Sequence, residues 1–282
     1  MSMLRAGVIG LGVGMRHAGV YAAHPGCELA AVCDTDPAKL ARAREQFPDA
    51  ATFADASAML AHGLDVVSVA SYDDAHHEQI LAAIECGSHV YAEKPLCQTR
   101  AQARDIHAAL AASPGVRLSA NMVLRSEPRF AAVHEALRRG DLGEVPWIDA
   151  DYLWGRVEKL TGGWRAAMET YSIIQGAAVH MIDLVLWLKG RRPVSVSGMG
   201  GRSAAVRGTP MRHNDWAALH LHFADGSGAG VDAHGGVAHP HFHRLAVHGT
   251  KGSFVQDLCG AAWTSQRSEE HTSELQSLLI IS

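Results

Sequence analysis

One stretch near the start limits what this chain can fold into more than any other. It reads Ala6-Gly7-Val8-Ile9-Gly10-Leu11-Gly12-Val13-Gly14-Met15-Arg16-His17, followed by Leu29-Ala30-Ala31-Val32-Cys33-Asp34. An apolar run enters a glycine turn, a helix-like stretch follows, and a second apolar run ends in an acid. This is the pattern of a strand–turn–helix–strand unit that holds a dinucleotide. Gly10 permits the tight turn. Gly12 lets the backbone approach a pyrophosphate, whose charge then sits on the N-terminus of the next helix. Asp34 lies 24 residues after Gly10, close to the spacing expected of the acid that bonds the ribose hydroxyls.

The usual G-x-G-x-x-G would place its third glycine at position 15, where Met15 stands, and Gly14 comes one residue early. Either the turn is one residue shorter, or Met15 takes the position that packs helix against strand. The cofactor contacts expected from this turn are Gly10, Leu11, Gly12, Val13, Gly14, Met15 and Asp34. Thr35 and Asp36 follow Asp34, with no arginine before Arg42. A 2′-phosphate would meet two carboxylates and no cation, so NAD is favoured over NADP.

The chain of 282 residues is long enough for two domains, and 48% hydrophobic residues suffice for packed cores. Its net charge of −4, with no basic block, argues against nucleic acid as a partner. Five cysteines at 27, 33, 86, 97 and 259, none in C-x-x-C spacing, suggest reduced thiols in a cytoplasmic protein. The N-terminus runs straight into the first expected strand, leaving no room for a signal peptide. The longest apolar helix, Val179 to Leu188, contains His180 and Asp183 and is too short to span a bilayer.

Residues 267–277, Arg-Ser-Glu-Glu-His-Thr-Ser-Glu-Leu-Gln-Ser, match a translated sequencing adapter. The expectation is that 267–282 is foreign and that the natural protein continues beyond Gln266. The 282-residue chain would then lack final strands and express poorly.

Strand and helix alternate through the first part, which implies a doubly wound parallel sheet. The expected strands are Leu4–Ile9, Leu29–Cys33, Thr52-Phe53, Asp65–Ala70, Ser88–Ala92 and Val116–Asn121. Helix Pro37–Gln46 opens with Asp36 as N-cap and Pro37 at its first position. After helix Pro128–Arg139 strands dominate: Val145–Leu153, Val194–Gly200, Trp216–Phe223, Ala229–Ala233, Leu245–His248 and Ser253–Gln256. They imply an α+β domain with an open, mainly antiparallel sheet, one face covered by helices such as Ala177–Leu188. The boundaries expected are 1–123 for the Rossmann domain and 124–266 for the second.

Val90-Tyr91-Ala92-Glu93-Lys94-Pro95-Leu96 is the second chemical signal. Ligands of open parallel sheets bind beyond the carboxyl ends of strands, which places Lys94 toward the reactive end of a cofactor. A partly desolvated lysine beside a cationic ring has a lowered pKa and can exchange protons with a hydroxyl. Pro95 fixes the turn and is a candidate for a cis bond.

With these residues the chain resembles the Gfo/Idh/MocA family of NAD(P)-dependent oxidoreductases. The resemblance rests on Gly-Leu-Gly at 10–12 with His17, Val-Cys-Asp at 32–34, Ser71 through His76 and Glu-Lys-Pro at 93–95. Trp164-Arg165, Val179-His180-Met181-Ile182-Asp183 and Gly249-Thr250-Lys251-Gly252 complete it. It implies hydride transfer between a nicotinamide and a secondary alcohol of a sugar, cyclitol or related polyol. It implies Lys94 as catalytic lysine, and His180 as the catalytic histidine that moves the hydroxyl proton. Ser71, His76 and Glu93 join the cofactor contacts. Arg125, Trp164, Arg165 and Asp183 are candidate substrate contacts. The family's open sheet implies a homo-oligomer, a dimer or tetramer, and no membrane partner.

One departure matters. Family members with the full triad carry an aspartate four residues before the histidine, where this chain has Gly176. Two alternatives follow: an NAD-binding paralogue or sensor without dehydrogenase activity, and a family member that uses NAD transiently to cleave a glycosidic bond. His220, His222 and the run His239-Pro240-His241-Phe242-His243 have spacing compatible with zinc. No cysteine or carboxylate cluster completes a ligand set, so no metal is expected, and these histidines read as a sheet surface.

Overall fold

The computed structural model describes residues 3–265. The expectations for 267–282 lie outside the described residues. The chain resolves into two compact units, divided between Asn121 and Met122.

The first unit contains strands β1 (Leu4–Ile9), β2 (Cys27–Cys33), β3 (Ala51–Phe53), β4 (Val66–Val69), β5 (His89–Ala92) and β6 (Leu118–Ala120). Helices α1 (Gly14–Ala23), α2 (Pro37–Gln46), α3 (Ala56–Leu60), α4 (His76–Glu85) and α5 (Arg100–Ala112) alternate with them. All strand pairs are parallel, in the order β3-β2-β1-β4-β5-β6. The order reverses between β1 and β4, and crevices that bind ligands form at such a point. Both faces are covered, so β1 and β2 read as nearly continuous buried runs. In β1, Val8 faces one hydrophobic cluster with Leu11, Ala18 and Leu40, while Ile9 faces the other with Val67, Val69 and Ile80. The helix starts follow their chemistry. Asp36 caps α2 by accepting from the Ala38 amide, and Thr99 and Gln102 form a capping box at α5.

The second unit opens with a 3-10 turn (Val123–Ser126) and α6 (Pro128–Arg139). Strand β7 (Trp147–Leu153) and short helices α7 (Glu158–Thr161) and α8 (Gly163–Ala167) follow. A π turn (Ile174–Ala178) leads into α9 (Val179–Lys189). Then come β8 (Ser195–Gly201), β9 (Trp216–His222), β10 (Gly228–His234), β11 (Phe242–His248), β12 (Gly252–Asp257) and β13 (Gly260–Ser265). The sheet order is β13-β12-β11-β7-β10-β9-β8. Every pair is antiparallel except β7 with β10, so the sheet is mixed. Alternation along β7 turns Ile148, Ala150 and Tyr152 inward. Met181, Leu184, Val185 and Leu188 of α9 share the same core cluster with them.

Two expectations need correcting. Strand β13 was not expected. Strand β11 begins at Phe242 rather than Leu245, which places His243 within the strand, opposite Tyr152.

Candidate functional site

In the first unit the glycine turn has a specific geometry. Gly10 has φ +87°, and a Cβ there would lie 2.5 Å from the Ala70 carbonyl and the Ser71 amide nitrogen. Its own N–H donates to Cys33 O at 2.8 Å. Helix α1 begins at Gly14, where a Cβ would lie 2.9 Å from Val8 Cγ1 and 3.1 Å from Ala70 Cβ. Gly14 is therefore the close-packing glycine and the turn is one residue shorter. Met15 instead packs, partly buried, against the Val8–Leu11–Ala18 cluster. No side chain caps α1, and its first amides have no intrahelical acceptor. Gly12 has no other atom within 4 Å of a Cβ position. Open space thus lies beside a helix N-terminus, which suits an anion such as a pyrophosphate.

Leu11 is not one of the donors available there. Its N–H donates to Asp34 Oδ2 at 2.6 Å, and its side chain is buried. Asp34 is itself nearly buried. Its Oδ1 also accepts the Asp36 amide at 2.9 Å, and Lys39 Nζ stands 3.1 Å from Oδ2. The expectation that no cation stands near this acid is corrected: helix α2 returns Lys39 to it, one turn after the strand tip. A carboxylate offers about four acceptor positions, so Asp34 keeps little capacity beyond these partners.

Beyond β5, the bond between Lys94 and Pro95 is cis. Glu93 sits in a polar network and not on an open surface. Its Oε1 accepts from Asn121 Nδ2 at 2.7 Å and lies 3.3 Å from His17 Nε2. His17 Nδ1 lies 2.8 Å from Ser68 Oγ, and Tyr91 OH donates to Asn121 Oδ1 at 2.6 Å. Burial pushes the Glu93 carboxyl up, but the bonds from His17 and Asn121 outweigh it and hold the group below its ordinary value. Glu93, expected as a cofactor contact, is also tied through these bonds into the turn that carries Lys94. His76 is also reassigned. It is fully buried, with Nδ1 2.7 Å from Pro95 O and Nε2 3.2 Å from Ser71 O. Both ring nitrogens are committed to backbone, so His76 ties the end of β4 to the Glu-Lys-Pro turn. Ser71 Oγ donates to Gln79 Oε1 at 2.6 Å.

In the second unit His180 is buried on α9, with its ring stacked on Tyr152 at 6.0 Å between centroids and 13° between planes. His243 and His241 stand edge-on to the same Tyr152 ring at 4.6 and 5.2 Å. Burial raises the Tyr152 phenol to about 12, so it keeps its proton at neutral pH. Burial, then the neighbouring His241, lowers His243 to about 4. Arg165 lies over Trp164 at 4.2 Å and over Trp154 at 5.8 Å. A catalytic candidate thus sits in an aromatic, histidine-rich setting with two guanidinium groups, Arg156 and Arg165, near Tyr152.

Arg125 and Asp183, both expected as substrate contacts, are paired with each other. Arg125 Nε and Nη2 hold Asp183 at 2.8 and 2.6 Å, a bidentate pair that joins the 3-10 turn to α9. Trp164 is partly buried against the core of this unit. Sequence reading had not singled out Tyr152, Ser68, Tyr91 or Asn121, because only strand pairing brings them to these partners. Among the described residues no group of three His, Cys, Asp or Glu is placed to hold a metal ion. No described helix is long and apolar enough to cross a membrane.

Residues 4–122 match the profile of the Gfo/Idh/MocA oxidoreductase family, NAD-binding Rossmann fold. Residues 130–255 match the C-terminal domain of that family. D-glucoside 3-dehydrogenase of Escherichia coli K12 is 32% identical over 204 residues, covering 67% of this chain and 55% of that protein. Inositol 2-dehydrogenase of Acidothermus cellulolyticus is 28% identical over 208 residues, covering 73% of this chain and 59% of that protein. The chain spans roughly half the length of the curated relatives it matches. Among solved structures, a levoglucosan dehydrogenase in complex with NADH and levoglucosan has a TM-score of 0.85 at 22% identity. That match covers 95% of this chain and 78% of the other, and it shows the shared fold.

Proposed function

The chain belongs to the Gfo/Idh/MocA oxidoreductase family, and from that membership we propose that the whole protein is an NAD-dependent dehydrogenase. Its substrate is a secondary alcohol on a sugar, cyclitol or related polyol. The observation that carries the reading is the uncapped start of α1 beside the open Gly12, with Asp34 held at the tip of β2. These residues fit a dinucleotide: Gly12, Val13 and Gly14 offer amides to the pyrophosphate, and Asp34 marks the ribose end.

When bound, NAD supplies a nicotinamide that takes the hydride. The chain's residues handle the rest. Lys94, on the turn braced by Glu93 and His76, and His180, on α9, are the groups assigned to the hydroxyl proton. Arg165, held over Trp164, and the paired Arg125 and Asp183 are the candidates for polar substrate contacts. Two relatives named for inositol and glucoside oxidation support the polyol class. The protein is further read as cytoplasmic and homo-oligomeric, with free thiols at all five cysteines.

The test has two stages. NADH fluorescence titration should show saturable binding that Gly12→Val weakens at least about tenfold. A panel of inositols, methyl glucosides and anhydrosugars with NAD should then give NADH for at least one compound. Gly176 favours a second reading, an NAD-binding protein without turnover. Tight NADH binding with no product across the panel would decide for it, whereas sugar release without net NADH would indicate glycosidic cleavage.

A further inference from the structure

The chain that leaves β7 runs tightly against the segment before β11. Gly155 has φ +57°, and a Cβ there would fall on the His239 carbonyl oxygen. This close approach sets His241 Nδ1 3.3 Å from Trp154 O and brings the Arg156 guanidinium within electrostatic reach of the same imidazole. The Trp154 ring is the hub of the cluster. Its centroid lies 5.7 Å from the Tyr152 ring and 6.3 Å from His241. The guanidinium carbons of Arg156 and Arg165 stand 6.0 and 5.8 Å from it, and Arg165 also lies 4.2 Å from the Trp164 ring. Tyr152 keeps its proton and His243 is neutral at neutral pH, so these rings add no negative charge. The fixed charges acting on Tyr152, His241 and His243 belong to Arg129, Arg156, Lys159 and Arg165, all cations. Elsewhere in this unit arginines meet acids: Arg125 with Asp183, Arg191 with Asp225 and Arg244 with Asp151. Among the described residues Arg156 and Arg165 have no such partner, and Arg156 Nε is buried without a hydrogen bond. The acids nearest them in sequence, Glu158 and Glu169, are exposed, whereas both arginines are half-buried. A partly desolvated guanidinium beside other cations is unfavourable until an anion joins it.

We propose that the polyol oxidised by this protein carries an anionic group, a carboxylate or a phosphate, held by Arg156 and Arg165. The inference deepens the dehydrogenase reading and rests on it. The planar fork of a guanidinium matches the paired oxygens of either group, and the indole faces of Trp154 and Trp164 limit how each fork can turn. Tyr152 connects this cluster to the assigned proton-handling residue, since His180 stacks on its ring at 6.0 Å and Trp154 adjoins it at 5.7 Å. One small molecule would thus present its hydroxyl to the histidine and its anion to the two arginines. A neutral inositol or glucoside leaves the guanidiniums without a counter-charge. Arg156 and Arg165 are specificity-determining residues, and Arg129 and Lys159 add positive potential around them.

The experiment compares NADH production by the 282-residue chain on three arms: myo-inositol and methyl glucoside, D-gluconate and D-glucuronate, and glucose phosphate. At least one anionic compound should exceed the neutral ones about tenfold in kcat/KM, and the arm that responds tells carboxylate from phosphate. The ratio of anionic to neutral turnover should fall about tenfold in Arg156→Gln and in Arg165→Gln, chiefly through KM for the anionic compound. Arg156→Lys and Arg165→Lys keep the charge without the fork and should retain part of the preference. Ligand NMR at fixed ionic strength, without cofactor, measures the same preference with no turnover: gluconate or glucose phosphate should bind more tightly than myo-inositol, and the two Gln variants should lose the difference. Neutral compounds used and bound as well as both anionic arms, or a preference that neither Gln variant changes, would overturn the inference. Oxidation of neutral polyols alone would sink it and leave the dehydrogenase reading standing. Anion binding that depends on both arginines, in a parent that turns over nothing, would sink the dehydrogenase reading alone.

Discussion

The carboxylate of Glu93 lies 3.3 Å from Nε2 of His17, and the other nitrogen of that ring lies 2.8 Å from Ser68 Oγ. Helix α1 and the turn after β5 are thereby joined through one imidazole. The helix with the uncapped N-terminus also braces the turn that carries Lys94.

Glu93→Ala would strip that brace and leave His17 and Asn121 partly buried without their acceptor. The expected loss is about 1–3 kcal/mol of stability, read as a lower urea midpoint. Glu93→Gln should retain part of it, because the amide oxygen can still accept from Asn121. A midpoint unchanged in Glu93→Ala would show that the network carries no stability.

Lys39 partly neutralises Asp34, at 3.1 Å. Removing it in Lys39→Ala should strengthen the rejection of a 2′-phosphate. NADPH affinity is expected to fall about three- to tenfold while NADH affinity changes by less than about threefold. Fluorescence titration with both cofactors measures the ratio. An unchanged ratio would mean that Lys39 does not face the ribose end.

Gly10→Ala combines a positive φ with a backbone clash at 2.5 Å. The two effects together should cost about 3 kcal/mol or more. Gly12→Ala, in open space, should leave stability nearly unchanged while weakening NADH binding. Equal melting of the two variants would contradict the geometry of the turn.

His243 is lowered from 6.5 to about 4, first by burial and then by His241. A histidine lowered on folding supports the folded state above its unfolded pKa. That support is lost as pH falls from about 6.5 toward 4, by an amount of about 3 kcal/mol. Urea midpoints measured between these limits should fall more steeply for the parent than for His243→Gln. Parallel curves would remove His243 from the acid sensitivity.

What the sequence determined by itself was local. The apolar patterns placed β1 to β12 and the helices α2, α6 and α9 within a few residues, because each element's apolar face is written into neighbouring positions. Asp36 before Pro37 and the glycine turn itself were legible for the same reason: their chemistry acts within a few residues. What only the tertiary structure decided was pairing over distance. The antiparallel register of β11 on β7 sets His243 opposite Tyr152, and α9 brings His180 onto the same ring. The turn between β2 and α2 returns Lys39 to Asp34, and the chain before α9 folds Tyr171 over Gly176. A one-dimensional pattern records which face a residue takes, but not which residue from elsewhere will meet it there. For that reason Met15, His76, Glu93, Arg125 and Asp183 were legible as notable residues, while their partners were not.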